Sequence, residues 1–359
     1  MLPQLAEDFS VSVSAASIVM TTYALAYAGS LLLQGPLGDR YGKLRIVTLG
    51  MALAGLASLG CALAWDVASL GLMRLATGMF ASASVALGMA YIGDVVAMEQ
   101  RQATIAHFIA GSMLGQMLGP LVGGALTDWV GWRVSFGLLG AVFVVVAAVL
   151  VVRTRPSWPA AVSAPFRPLA VYRGLWSLPA MRWLLAVGIA ETFFFFGAFA
   201  FLGAYLKARF DASFTVVGLV LAGYGLGGLV YSFTARLFIS TLGERGMVLA
   251  GGAIGAVFFI ALLLVPALPY AAVCTIALGI AFYLIHNTVQ AKATEVAPQA
   301  RGSAVAFYAT SWALGQALGV GAVGLGVAAA GYAPAIMACG VGFGLLGLWL
   351  RWNLHRLKP

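Results

Sequence analysis

The chain has 359 residues, 62% of them hydrophobic and only 9% charged, with a mean hydropathy of +0.99. Soluble domains are about 45 to 50% apolar, so a water-soluble globular fold is excluded and a membrane protein is expected. The net charge of +9 raises nucleic-acid binding, which the placement of the basic residues argues against below.

An apolar run of about 20 residues crosses the roughly 30 Å hydrocarbon core as a helix, satisfying its backbone hydrogen bonds internally. Eleven such runs follow in chain order: 15–36, 46–65, 67–96, 103–127, 134–152, 183–206, 215–239, 247–265, 268–290, 303–330 and 333–350. Short alternating segments of the β-barrel kind do not occur, so the expected fold class is an all-α integral membrane bundle. Residues 1–14 lack a basic, then apolar, leader pattern, and no cleavable signal peptide is read.

If the run ends alternate between two sides, one side collects sixteen Lys and Arg, from Arg40 to Lys358, and the other only Arg133, Lys207 and Arg209. The positive-inside rule makes the first side cytoplasmic. The C-terminus is then inside and the N-terminus, with Glu7 and Asp8, outside. The basic excess is thus a topology signal, with no nucleic-acid partner expected.

Between the first two runs lies GPLGDRYGKLR, residues 35–45, with four charges in eleven residues. Gly42 suits a tight turn at positive φ, Asp39 can meet a helix N-terminus or a base, and the bases suit an anionic leaflet. On the third run Arg74 lies about 12 Å in from Asp66 at 1.5 Å per residue, a depth at which an arginine is usually functional or paired. Asp94, Glu99 and Arg101 follow that run and are candidate charge partners for the 35–45 segment. On the fourth run Gly111, Gly115, Gly119 and Gly123 recur every four residues, a face that lets another helix approach closely. Pro120 can bend that helix.

Residues 153–182 hold five of the thirteen prolines, five arginines and no acid, and read as a cytoplasmic linker between helical halves 1–152 and 183–359. The halves repeat at an offset of 200: Arg101 with Arg301, Gly115-Gln116 with Gly315-Gln316, Leu118-Gly119 with Leu318-Gly319, and Gly131-Trp132 with Gly331-Tyr332. Internal repeats of this kind build many transporters. The second copy of the charged segment, Arg236 to Arg245, keeps Gly243, Glu244 and Arg245 but has Ser240 near the expected Asp, and reads as degraded. Glu191 is the only acid well inside an apolar run, about 13 Å deep. Burial makes its charged form costly, and it is the expected proton-responsive residue. Phe193 to Phe196 suit either an apolar substrate or lipid.

Cys61, Cys274 and Cys339 stand singly in apolar runs, and His107, His286 and His355 lack metal-ligand spacing. No metal, cofactor or enzyme signature is read. Gly-x-Gly-x-x-Gly at 223–228 and 319–324 lacks a βαβ context and reads as helix packing.

Gly35, Gly38, Asp39, Arg40, Gly42, Lys43 and Arg45 resemble the cytoplasmic-loop signature of the major facilitator superfamily, found between its second and third helices. Arg74-Leu-Ala-Thr-Gly78 resembles its R-x-x-x-G motif, and Gly115, Gly119, Pro120, Gly123 and Gly124 resemble the antiporter motif of its fifth helix. The resemblance implies two six-helix halves, of which the first helix is not seen here. Residues 2–9 look like the outer segment that follows it, so a fragment or misassigned start is expected. It further implies a secondary transporter in the cell membrane, a monomer that exports a drug or metabolite against protons by alternating access. Gln116 and Gln316 join Arg74 and Glu191 as cavity candidates. An uptake symporter and a non-transporting receptor or scaffold are the alternatives.

Overall fold

The computed structural model describes residues 1–154, 158, 168–297 and 301–357. Among them every regular element is helical. Two short helices, α1 (Leu2–Asp8) and α2 (Val13–Ala16), lead into α3 (Ile18–Tyr41), α4 (Lys43–Ala62), α5 (Val67–Ala81), α6 (Ala83–Val95) and α7 (Met98–Thr154). Then come α8 (Pro168–Ser177), α9 (Pro179–Phe210), α10 (Phe214–Leu264), α11 (Leu268–Glu295), α12 (Arg301–Ala330) and α13 (Tyr332–Asn353).

Nine stretches among the described residues are long and apolar enough to span a bilayer. Two of them carry a single non-helical glycine, Gly131 in α7 and Gly243 in α10. Each glycine marks a reversal. Beyond Gly131, the backbone at Gly137 and Gly140 runs back along α4 beside Ala62 and Leu59, and beyond Gly243, α10 returns until Leu263 accepts from Tyr205 Oη. The nine stretches therefore make eleven crossings. Turns this short need positive φ, which only glycine adopts without cost.

Positive φ also exposes the duplication. The described residues in that region are Ser10, Gly42, Gly131, Asp211, Gly243 and Gly331. They pair as Ser10 with Asp211, Gly42 with Gly243, and Gly131 with Gly331, at offsets of 200 or 201. The helix starts that follow the first pair match as well: Ser12 accepts from Ala15 N–H, and Ser213 from Val216 N–H. A side-chain acceptor at this position satisfies one of the orphan donors of the first turn. At the start of α5, Asp66 and Ser69 form a reciprocal capping box, and the bonds from Ser69 lower the Asp66 pKa.

The segment 35–45 is nearly all helix, since α3 runs to Tyr41 and α4 starts at Lys43, leaving only Gly42 outside at φ +92°. Polar residues extend the helices here because their apolar cores are already nucleated and elongation is cheaper than initiation. In 153–182, residues 155–157 and 159–167 lie outside the described set. In the remainder, α8 fills 168–177 and α9 begins at 179. Pro168 and Pro179 stand at helix starts, where a missing N–H costs nothing, and so begin helices rather than prevent them.

Candidate functional site

Glu191 on α9 has 0% of its surface exposed. Its Oε1 lies 3.1 Å from Nδ1 of His286 on α11, and Tyr308 on α12 donates from Oη to Glu191 Oε2 at 3.2 Å. The same Oη is 3.4 Å from His286 Nδ1. Small residues allow this convergence of three helices. A Cβ on Gly188 would come within 2.9 Å of the Tyr308 ring, and one on Gly315 within 2.7 Å of Ile189 Cα, two residues before Glu191. Thr192 Oγ1 donates to the Trp312 carbonyl at 2.7 Å, tying α9 to α12, and Phe282 stacks on His286 with centroids 5.0 Å apart.

An isolated carboxylate in this setting would be prohibitively costly, and the imidazole and phenol are the groups that compensate it. A carboxyl with a neutral imidazole and a carboxylate with an imidazolium differ only in where one proton sits. The cluster can therefore hold a proton without net charge, and it gains or loses net charge only by binding another proton or giving one up.

Glu191 was singled out by depth alone, and its two partners were not. His286 stands only four residues from the end of the run 268–290 and has no metal-ligand spacing, so it lacks the depth that marks Glu191. Tyr308 carries no such signal, and only the fold brings it in from 117 positions away.

At the end of the bundle holding Gly42, Lys43 Nζ lies 2.6 Å from Asp94 Oδ2 and 3.3 Å from Asp39 Oδ1. Arg40 rests over Tyr41 and Arg45 over Trp158, at 5.3 and 5.8 Å from the ring centroids. A Cβ on Gly38 would meet Leu87 at 2.7 Å, whereas nothing described lies within 4 Å of one on Gly35. The side chains of Glu99 and Arg101 lie outside the described residues. In the second copy the residue after the turn glycine changes sign, Glu244 for Lys43. Glu244 lies 2.6 Å from Lys292 Nζ at the end of α11, and Glu295 reaches the same ammonium at 3.2 Å. Glu295 holds the place of Asp94, and the basic partner Lys292 stands three residues before it, so the ion pair is kept while its residues are not.

Arg74 has no carboxylate partner among the described residues. Its guanidinium lies 4.1 Å from the centroid of Tyr23 and 5.5 Å from that of Phe136, with Nε 3.4 Å from the Val19 carbonyl. Gln116 Oε1 accepts from Tyr283 Oη at 3.1 Å, a bond from α11 to α7, and Gln316 lies half-buried on α12, one turn from Trp312.

The four-residue glycine stripe does not make the close helix contact expected of it. Nothing described lies within 4 Å of a Cβ on Gly111, Gly115 or Gly119, and only the Met1 terminus approaches Gly123. The neighbouring stripe makes the contact instead: Met117 against Gly225, Pro120 against Gly218, and Gly124 against the Phe214 carbonyl. Asp128 completes the seam by accepting from Phe214 N–H at 2.9 Å and Thr215 Oγ1 at 2.6 Å. The phenylalanine run divides: Phe195 is core, Phe193 and Phe194 pack on Gly319 and Gly342, and Phe196 turns toward Trp312.

Two repeated sets of helices, hairpin turns at their ends and a buried ionisable cluster at mid-depth define a multi-pass membrane transporter. The family description Major Facilitator Superfamily matches residues 1–320 and, in a second overlapping match, 199–359, and the chain belongs to that family. It is 28% identical over 333 residues to the uncharacterized MFS-type transporter YceJ of Bacillus subtilis, spanning 90% of this chain and 83% of the relative. It is 38% identical over 136 residues to the uncharacterized MFS-type transporter EfpA of Mycobacterium tuberculosis, spanning 38% of this chain and 26% of the relative. It is 30% identical over 155 residues to efflux pump radE of Floropilus chiversii, spanning 42% and 29%. The relatives are named as transporters, and the chain is a membrane transporter and not an enzyme.

Proposed function

We propose that this transporter exports a small molecule in exchange for protons, with Glu191, His286 and Tyr308 as the proton-binding group. The carrying observation is the carboxyl at zero exposure bonded to an imidazole and a phenol from two other helices. A proton arriving at this cluster changes its net charge in a medium that resists net charge, so protonation and the arrangement of α9, α11 and α12 are linked. Export is the direction suggested by the antiporter-like residues Gly115 to Gly124 and by relatives that carry the name efflux pump.

In this reading halves 1–152 and 183–359 rock about the central site, and the sixteen-to-three charge asymmetry puts the Gly42 and Gly243 turns and the C-terminus in the cytosol. The ion pairs Lys43–Asp94 and Glu244–Lys292 then hold the cytoplasmic ends of their helices in one of two arrangements. The test uses proteoliposomes with an entrapped pH indicator and a chemically broad compound panel. Wild type is expected to couple compound flux to proton movement. Glu191→Gln is expected to lose proton-driven flux by at least tenfold while keeping compound exchange without a gradient. Proton-driven flux unchanged in Glu191→Gln at matched insertion removes the cluster from the mechanism.

A further inference from the structure

Beside the proton-binding cluster lies a second group of side chains that it does not use. Phe196 is only partly buried and stands edge-on between two rings: Trp312, with centroids 5.6 Å apart at 79°, and Tyr224, 6.0 Å apart at 72°. Trp312 Nε1 and Tyr224 Oη are buried polar atoms with no hydrogen-bond partner among the described residues. Tyr224 is 4% exposed, and its ring lies beside that of Tyr283, with centroids 6.1 Å apart. Tyr27 of α3 and Trp312 flank the same small apolar cluster of Ala28, Leu31 and Ala313, so helices from both ends of the chain meet here.

A buried donor left unpaired costs about 1 to 3 kcal/mol, and native structures seldom leave one without a reason. The indole N–H is only a donor, and a phenol flanked by aromatic faces is most readily used as one. The nearby carboxylate of Glu191 is held by His286 and Tyr308, and an imidazolium at His286 would offset its charge toward a cation. From this we infer that the transported molecule is a planar aromatic compound bearing an oxygen acceptor, such as a ring carbonyl, that lies on Phe196 and accepts from Trp312 Nε1 and Tyr224 Oη. The inference rests on the transporter reading above and names the chemistry of what is carried. It ranks an uncharged acceptor above a lipophilic cation of the same footprint.

Equilibrium dialysis of the purified chain in detergent against three matched probes tests this: coumarin, naphthalene and a naphthyl trimethylammonium cation. Coumarin is expected to bind roughly a hundredfold more tightly than either of the others, about tenfold for each of two buried hydrogen bonds. Trp312→Phe keeps a ring and deletes one donor, and is expected to lower that preference about tenfold while leaving naphthalene binding unchanged. Tyr224→Phe does the same at the second donor and serves as the independent variant if Trp312→Phe elutes abnormally. Equal binding of coumarin and naphthalene, tightest binding of the cation, or a parallel loss of all three probes in both variants overturns the inference. The coumarin preference, measured without a gradient, is also expected in Glu191→Gln. Its persistence there alongside unchanged proton-driven flux sustains this site and rejects the proton-binding reading alone.

Discussion

Gly115 and Gly315 occupy equivalent places in the two halves and live in opposite surroundings. A Cβ on Gly315 would lie 2.3 Å from Thr192 Oγ1 on α9, whereas one on Gly115 meets nothing described within 4 Å. The same contrast runs through both halves. One large apolar core, with Phe195, Phe259, Phe282 and Phe343 fully buried, holds α9 to α13 together, while the earlier helices have two small clusters and share a third with α12. In its most apolar stretch α9 is 56% buried and α7 only 17%. What corresponds to the end of α9 in the first half is α1, which is followed by left-handed Ser10 as α9 is by left-handed Asp211. The difference teaches that a repeated motif fixes backbone geometry at its turns, while the packing a glycine serves is decided by what lies against it.

The largest effect should come from asking the two glycines directly. Gly315→Ala is expected to lower stability by about 2 kcal/mol or more, since overpacking a filled contact costs about 1 to 3. Gly115→Ala should be neutral or raise it by up to about 1 kcal/mol, the helix-propensity gain. Thermal unfolding midpoints in detergent compare them, and equal losses would erase the contrast between the halves.

The charge pairs give a middling effect. Lys292 is 4% exposed against 21% for Lys43, while their acidic partners are 46% exposed or more. Lys292→Ala is therefore expected to cost about 1 kcal/mol and Lys43→Ala a few tenths, as for surface pairs. Exchanging Glu244 and Lys292 together should restore most of the first loss, read in the same melting assay. A double exchange no better than either single change would show that the reversed polarity is incidental.

The smallest effect concerns what the halves share. Ser10→Gly and Asp211→Gly each relieve a left-handed residue and should each stabilise by about 0.5 to 1 kcal/mol. A gain at one site and a loss at the other would mean that the matching turns bear different loads.

Much of this was legible before any coordinates. Helix placement follows from hydropathy because a bilayer rewards long apolar runs whatever their partners. The repeat was visible in glycines and one arginine because turns and close contacts tolerate few residue types. Glu191 stood out because a single acid in a run is conspicuous. His286 and Tyr308 were not legible beside it, since three helices join residues far apart in sequence and tyrosine is common in apolar runs. The glycine stripe misled because spacing shows which residues share a face and not whether anything covers that face. The pair Glu244–Lys292 escaped because an attraction survives when its residues change sign and place, whereas a motif does not.

The one-residue breaks at Gly42, Gly131 and Gly243 have a consequence for how the polypeptide enters the bilayer. Two crossings joined by a single residue cannot be threaded separately, because no slack exists to park one arm outside while the other is made. Each such pair goes in as a hairpin, and in the proposed topology the Gly42 and Gly243 tips stay in the cytosol while the Gly131 tip crosses in one step. The tip at Gly131 takes Asp128 and Arg133 with it, a nearly neutral cargo. For the same reason these tips offer a protease no extended strand to grip, so limited digestion of intact vesicles should spare them.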